Sequence, residues 1–197
     1  MARARPAGSA DTATTILDIA EGLVQRRGFS GFSYGDIAGE LGITKASLHY
    51  HFPSKSELGE SLITRYAARF AEALDEIGAR DMAAAAKLGA YCALYRAVLA
   101  QRRMCLCGML AAEYEVLPVE MRHAVVAFLD QNQAWLAAVI EEGRVAGTLR
   151  FAGGSESAAS SIIAALEGAM LVSRPYGNTA VLDSVADRLL AEFSAAP

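Results

Sequence analysis

The stretch GITKASLHYHFPSKSEL, residues 42–58, decides how the rest of the chain is read. It carries two lysines, two histidines, a tyrosine and several small hydroxyl side chains, with no acidic residue before Glu57. Gly42 and Ile43 suit a tight turn, and Thr44 is a good N-cap for a short helix that runs to about His51, before Pro53 stops it. Ser54 to Glu57 fits a capping box, in which serine and glutamate side chains satisfy orphan amides at the start of the next helix. Leu48 and Phe52 are four residues apart and pack inward with Ile37, Leu41 and Ile43. That leaves Lys45, Ala46, Ser47, His49 and Tyr50 facing outward.

Upstream, Ile16, Leu17, Ile19, Ala20, Leu23 and Val24 recur at three- and four-residue spacing, marking one buried face of a helix from Asp11 to Arg27, ended by Gly28. Ser33 then caps a short helix through Leu41. Gly35 and Gly39 each cost that helix roughly 1 kcal/mol against alanine, so its order depends on its neighbours. Two short helices joined at Gly42 and propped by a longer one make a helix-turn-helix, whose second helix can lie in a DNA major groove.

The outward residues suit that groove. A lysine pairs with phosphate or with guanine acceptors, while an alanine methyl or serine hydroxyl is small enough to let the helix sit deep. Tyrosine and histidine hydrogen-bond phosphates. Lys55 adds charge beside the N-terminal amides of the fourth helix, and Tyr34 lies near the start of the second. This argument is local by necessity: the 197-residue chain has a formal net charge of −4 and a pI of about 5.4, which gives DNA no long-range attraction.

Downstream, Leu58, Leu62, Tyr66, Phe70, Ala73, Leu74 and Ile77 hold one face of a long fourth helix ending near Gly78 and Asp81. Five more helices are expected: Met82 to Gln101, Met104 to Glu115, Val119 to Gly143, Glu156 to Arg174 and Thr179 to Phe193. Gly, Pro or polar turn residues separate them. The fold class is therefore all-α with about nine helices, consistent with 53% hydrophobic residues, abundant alanine and only five prolines.

The run FSYGDIAGELGITKASLHYHFPSKSEL, residues 32–58, resembles the DNA-binding domain of TetR-type transcriptional regulators, and the resemblance extends from about Thr12 to Leu62. It implies a flexible arm over 1–10, a helix-turn-helix DNA-binding domain over 11–56, and a helical ligand-binding and dimerisation domain over 57–197. By position it implies that Thr44, Lys45, Ala46, Ser47 and His49 approach bases, and that Tyr34, Tyr50, His51 and Lys55 contact phosphates. His49 departs from the family, where tyrosine is frequent. Arg3 and Arg5 sit on the arm.

The resemblance further implies a ligand-responsive repressor, released from a near-palindromic operator in double-stranded DNA by a small-molecule inducer, and a homodimer formed through the last two helices. Ser160, Ala164 and Gly168 would let two such helices approach closely. An inducer pocket needs aromatic and flexible side chains on facing helices with a few polar groups among them. Candidates are Tyr91 and Tyr95, the stripe Cys105, Met109 and Glu113, and the stripe Phe128, Gln131 and Trp135, with Phe70 and Met170 closing the ends.

No serine, histidine and carboxylate set, phosphate-cradling glycine loop or metal-binding cluster stands at a recognisable spacing, so no enzyme activity and no cofactor are expected. His123 reads as a surface residue. No apolar run is long enough to cross a bilayer and the start lacks a secretory h-region, which points to a cytoplasmic protein. Cys92, Cys105 and Cys107 make an odd number of thiols, expected to be reduced. Cys105 and Cys107 would point about 200° apart on a helix, a poor chelating pair. Two alternatives remain: regulation through oxidation or alkylation of Cys105 or Cys107, and a helical small-molecule-binding module that does not touch DNA.

Overall fold

A computed structural model describes residues 9–193. Among them are nine α-helices: α1 (Ser9–Arg27), α2 (Tyr34–Leu41), α3 (Lys45–His51), α4 (Lys55–Ala79), α5 (Ala84–Ala100), α6 (Leu106–Ala112), α7 (Val119–Val145), α8 (Ser155–Ser173) and α9 (Ala180–Phe193). Short 3₁₀ turns follow α6 and α8, and the described residues form no strand. The expected all-α class and the number of helices hold. Arg3 and Arg5 lie outside the described residues, and α1 begins two residues ahead of Asp11, inside the segment expected as an arm.

The first three helices form as their caps dictate. Ser33 and Asp36 make a reciprocal capping box on α2, and Gly42 closes it in the left-handed region at φ 70°, with Ile43 N–H donating to the Ala38 carbonyl at 3.1 Å. Thr44 accepts the Ser47 amide at 3.1 Å and starts α3. Ile37 and Leu48 are completely buried together with Leu58 of α4. Each such side chain contributes about 1.5–3 kcal/mol by leaving water, which offsets the poor helix propensity of Gly35 and Gly39.

Helix α4 is continuous from the N-terminal helix-turn-helix into the C-terminal half. Its N-terminus is capped by Ser54, which accepts the Glu57 amide at 3.2 Å. Leu58, Leu62 and Ile63 pack against the first three helices, and Tyr66, Leu74 and Ile77 carry the same face onward. Glu21 of α1, itself buried, holds α4 by accepting from Arg69 at 2.6 Å and Arg65 at 3.1 Å. In the C-terminal half α7 packs on α4, α5 and α8, and α8 packs on α9.

The sixth helix is shorter than expected. Met104 donates its amide to the Gln25 carbonyl of α1 at 3.2 Å, which holds it outside the helix. Cys105 is the N-cap, its sulfur accepting the Gly108 amide at 3.5 Å. At the other end the chain leaves α-helical geometry after Ala112 and passes through the turn Tyr114–Val116.

Candidate functional site

The outer face of α3 is the first candidate site. Thr44, Lys45, Ala46, His49 and Tyr50 are exposed together, and Ser47 and His51 are partly exposed beside them. Tyr50 projects furthest, with 79% of its surface accessible and its ring edge-on to His51 at 5.3 Å. The stem of Lys45 lies across α2, where a Cβ placed on Gly35 would stand 3.2 Å from its Cε. His49 rests on the Tyr34 ring at 4.8 Å and directs Nδ1 at the Pro53 carbonyl, 3.1 Å away. A carbonyl only accepts, so Nδ1 carries the proton and Nε2 is left as an acceptor in the neutral ring.

Two residues expected on phosphates are turned inward. Tyr34 is buried and donates its hydroxyl to the Phe52 carbonyl at 2.8 Å, pinning the end of α3 to the start of α2. Burial, with a smaller effect of Glu57, pushes its pKa up to about 12, so it remains a neutral donor. The Lys55 ammonium donates to the carbonyls of Phe29 and Phe32 at 2.5 Å each and lies over both rings, 4.6 and 4.2 Å from their centroids. Desolvation lowers its pKa, against the pull of Glu113 and Asp36. The loop after α1 presents carbonyls that sequence spacing does not reveal, and they capture this cation.

The second candidate site is the aromatic interior between α4, α5, α6, α7 and α8. Phe70, Tyr95, Cys105 and Met170 converge there with Tyr66, around a space of about 10 Å³, room for hardly one water. Tyr91, Phe128 and Trp135 stack behind them: Phe70 meets Phe128 at 5.2 Å, and Tyr91 lies parallel to Trp135 at 5.9 Å. Tyr91 donates to Asn132 Oδ1 at 2.9 Å and faces the Tyr95 hydroxyl at 3.2 Å. Burial holds both tyrosine hydroxyls above their ordinary pKa, so this network is neutral.

Three expected lining residues are elsewhere. Gln131 is exposed, and Asn132 takes its place because the buried stripe of α7 runs Met121, Val125, Phe128, Asn132 in steps of four, three and four, so the step after Phe128 is four residues and not three. Met109 faces Arg174, whose Nη1 stands 3.6 Å from its sulfur. Glu113 caps the loop after α1, accepting from Ser30 N–H and Oγ–H at 2.8 Å each.

Asn132 and Glu167 are absent from the residues expected in this interior, and Tyr66 was expected only on the packed face of α4. Tyr66 and Asn132 follow from strict four-residue stepping from Leu62 and Phe128. Glu167 had no signal: it looks like a polar helix position, yet its Oε1 is completely buried without a partner. Desolvation raises its pKa, against a smaller lowering by the Cys105 thiol beside it. A Cβ on Gly108 would stand 2.2 Å from Glu167 Oε2, so glycine gives the carboxyl its room.

All three thiols are free and buried. Burial, reinforced by Glu167, pushes Cys105 and Cys107 well above the ordinary thiol range, which disfavours the thiolate that oxidation or alkylation requires. The described residues contain no group of three or more His, Cys, Asp or Glu side chains able to hold a metal, and no helix long and apolar enough to cross a membrane.

The chain matches the family model described as bacterial regulatory proteins, tetR family, over residues 16–62, and the one described as tetracyclin repressor-like, C-terminal domain, over 84–189. It is similar to the transcriptional regulator AcuR of Cereibacter sphaeroides, with 28% identity over 176 residues, 86% of this chain and 80% of that one. Among solved structures, a TetR-family transcriptional regulator from Agrobacterium tumefaciens is 32% identical, covers 95% of this chain and 100% of its own, and superposes with a TM-score of 0.92. A TetR regulator from Legionella pneumophila is 29% identical, covers 97% of this chain and 100% of its own, with a TM-score of 0.83. With a helix-turn-helix face on α3 and matches that take in both halves, this chain belongs to the TetR family of bacterial transcriptional regulators.

Proposed function

We propose that this regulator is a homodimeric repressor that holds a near-palindromic operator through α3 and releases it when a small molecule opens the aromatic interior. Members of its family bind DNA operators, act as homodimers and are not enzymes. Within α3, Lys45, His49 and Tyr50 are the polar side chains with the reach to touch a duplex, with Thr44, Ala46 and Ser47 letting the helix sit close. His51 contributes at the edge.

One observation carries the ligand response. Tyr66 and Phe70, which wall the interior, belong to the same unbroken helix that supports the reading unit at its N-terminus. The interior has room for hardly one water, so a ligand of several atoms cannot enter without moving that wall. From Phe70 to Lys55 the helix runs roughly 22 Å at 1.5 Å per residue, and a small tilt at one end becomes a displacement of α3 at the other. The ligand acts by binding the tilted state more tightly than the DNA-bound one.

The dimer is assigned to α8 and α9. On α8, Ala164, Gly168 and Leu171 share one exposed face; Leu171 is 60% and neighbouring Val172 51% accessible, apolar surface that a partner would cover. A two-fold axis through this face would set two α3 helices on half-sites one helical turn apart, or a multiple of it. Selection from a random duplex library tests the reading. Wild-type protein should enrich an inverted repeat that Lys45→Ala protein, equally folded, binds at least tenfold more weakly; enrichment of no inverted repeat sinks it.

A further inference from the structure

A second cavity, about 210 Å³, opens where the end of α1 meets the C-terminal half. Leu99 and Met104 form its apolar wall, and Arg26, Arg102 and Arg174 line the rest together with Ser173, Gly177 and Asn178. Arg26 belongs to the DNA-reading unit, Arg102 to the turn after α5, and Arg174 to the turn after α8. Six other arginines are in ion pairs, such as Arg65 with Glu21 and Arg96 with Asp183, whereas Arg80, Arg103, Arg122 and Arg150 are in none of those found among the described residues and do not line the cavity. None of the ion pairs found among those residues includes Arg26, Arg102 or Arg174.

Helix ends account for part of the positive charge and leave the rest over. Helices α1, α5 and α8 all terminate here, each presenting roughly half a negative charge, so three guanidiniums leave an excess of about +1.5, the charge of one oxyanion. Arg174 meets one of those ends directly, donating Nη2 to the Arg26 carbonyl while Nη1 meets the Met109 sulfur. That engages two of its five N–H donors.

Arg102 is the sharper sign. It is the described non-glycine residue with positive φ, at 57°. Its amide donates to the Leu99 carbonyl at 2.8 Å and the next amide, of Arg103, to Val98 at 3.3 Å, the two bonds of a Schellman motif. That position usually selects glycine, because a Cβ strains the left-handed backbone. Here it carries a guanidinium at the cavity, in a chain of net charge −4.

We propose that the cavity between Arg26, Arg102 and Arg174 is an oxyanion site that takes the carboxylate or phosphate of a small anionic metabolite. The bound anion ties α1 to the C-terminal half, and so weights one placement of the reading unit over another. This coupling, though not the anion binding itself, rests on the ligand-responsive reading above. Linkage makes the effect mutual: an anion that changes operator affinity has its own affinity changed by operator DNA by the same factor.

The test titrates the full chain with inorganic phosphate and, separately, with acetate, at ionic strength held constant with chloride, by calorimetry and by melting temperature. Saturable binding of either ion is expected, and which one binds identifies the group recognised. Arg102→Gly suits the left-handed backbone, so it keeps the fold while losing the guanidinium; it should bind at least tenfold more weakly, as should Arg26→Gln. No saturable binding of either ion, or variants that bind as wild type does, overturns the site. Operator affinity measured with the anion saturating should shift fivefold or more. An unchanged operator affinity alongside arginine-dependent binding would leave the site standing and overturn its coupling to DNA.

Discussion

Glu113 and Ser30 join the two halves of the molecule: the carboxylate at the end of α6 accepts both the backbone amide and the hydroxyl of Ser30, each at 2.8 Å. The contact needs Gly28, which lies in the left-handed region at φ 82°, where a Cβ would stand 1.8 Å from Glu113 Oε1. A movement of α6 is therefore felt in the loop that leads to α2. Glu113→Ala should lower stability to urea by about 1–2 kcal/mol, the range for charged hydrogen bonds reduced for the exposure of Ser30. Ser30→Ala should cost less, and the double variant should cost less than the sum of the two. Fully additive losses would mean that the two residues do not interact.

Lys55 and Lys45 separate a brace from a DNA contact. Lys55→Met removes two hydrogen bonds from a charged donor and two ring contacts, and should cost roughly 3 kcal/mol on thermal or urea unfolding. The salt dependence of operator binding should stay as in wild type. Lys45→Ala should do the reverse, leaving unfolding within about 0.5 kcal/mol while the slope of log K against log salt falls by about 1. A reduced slope for Lys55→Met would return that lysine to the phosphate backbone.

Asn132 tests the interior. It is almost wholly buried and meets the hydroxyls of both Tyr91 and Tyr95. Asn132→Ala strips those hydroxyls of a partner and opens a small void, a loss of about 2–3 kcal/mol in urea. Gln131→Ala, one residue away on the exposed face, should change stability by less than about 0.5 kcal/mol. Equal losses at the two positions would contradict the orientation of α7.

The α8 face can be probed without disturbing the subunit. A Cβ on Gly168 meets no atom within 4 Å, so Gly168→Glu fits the single chain and improves local helix propensity by roughly 1 kcal/mol. Across a two-fold axis it would bury two like charges. Sedimentation velocity should show a monomer with unchanged helix content by circular dichroism; a persistent dimer would move the interface elsewhere.

Buried thiols set an alkaline limit. Burial raises Cys92 from 9.0 to about 11 and drives Cys105 and Cys107 upward as well. The folded state holds these protons more tightly than the unfolded chain, so the thiols' contribution to stability is level below about pH 8 and falls once unfolded thiols ionise. Between pH 9 and 11 each thiol still protonated in the fold removes up to about 1.4 kcal/mol per pH unit. Urea unfolding at pH 7.5, 9, 10 and 11 checks this, and Cys92→Ala should flatten the decline across that window. A profile level to pH 11 would place the thiols in contact with solvent.

Caps and apolar spacing were enough to place every helix to within a few residues, because both act between neighbours in the chain. Thr44, Ser54, Gly28 and Gly42 mark ends that local hydrogen bonds and backbone sterics enforce. The exposed set on α3 followed from the same periodicity once Leu48 was turned inward. The inward bonds of Lys55 and Tyr34 were not legible because the carbonyls of Phe29, Phe32 and Phe52 that accept them are contributed by other segments.

By itself the amino-acid order determined an all-helical chain with a reading helix near its start, since capping chemistry and a 3.6-residue period are properties of consecutive residues. Tertiary structure alone decided what long-range partners make of a side chain. Glu113 became a latch on Ser30, Glu167 was drawn under the aromatic cluster, and Arg26, Arg102 and Arg174 met across a cavity. Charges more than seventy residues apart interact only after the core has closed, and burial then fixes which of them are paired, neutral or left over.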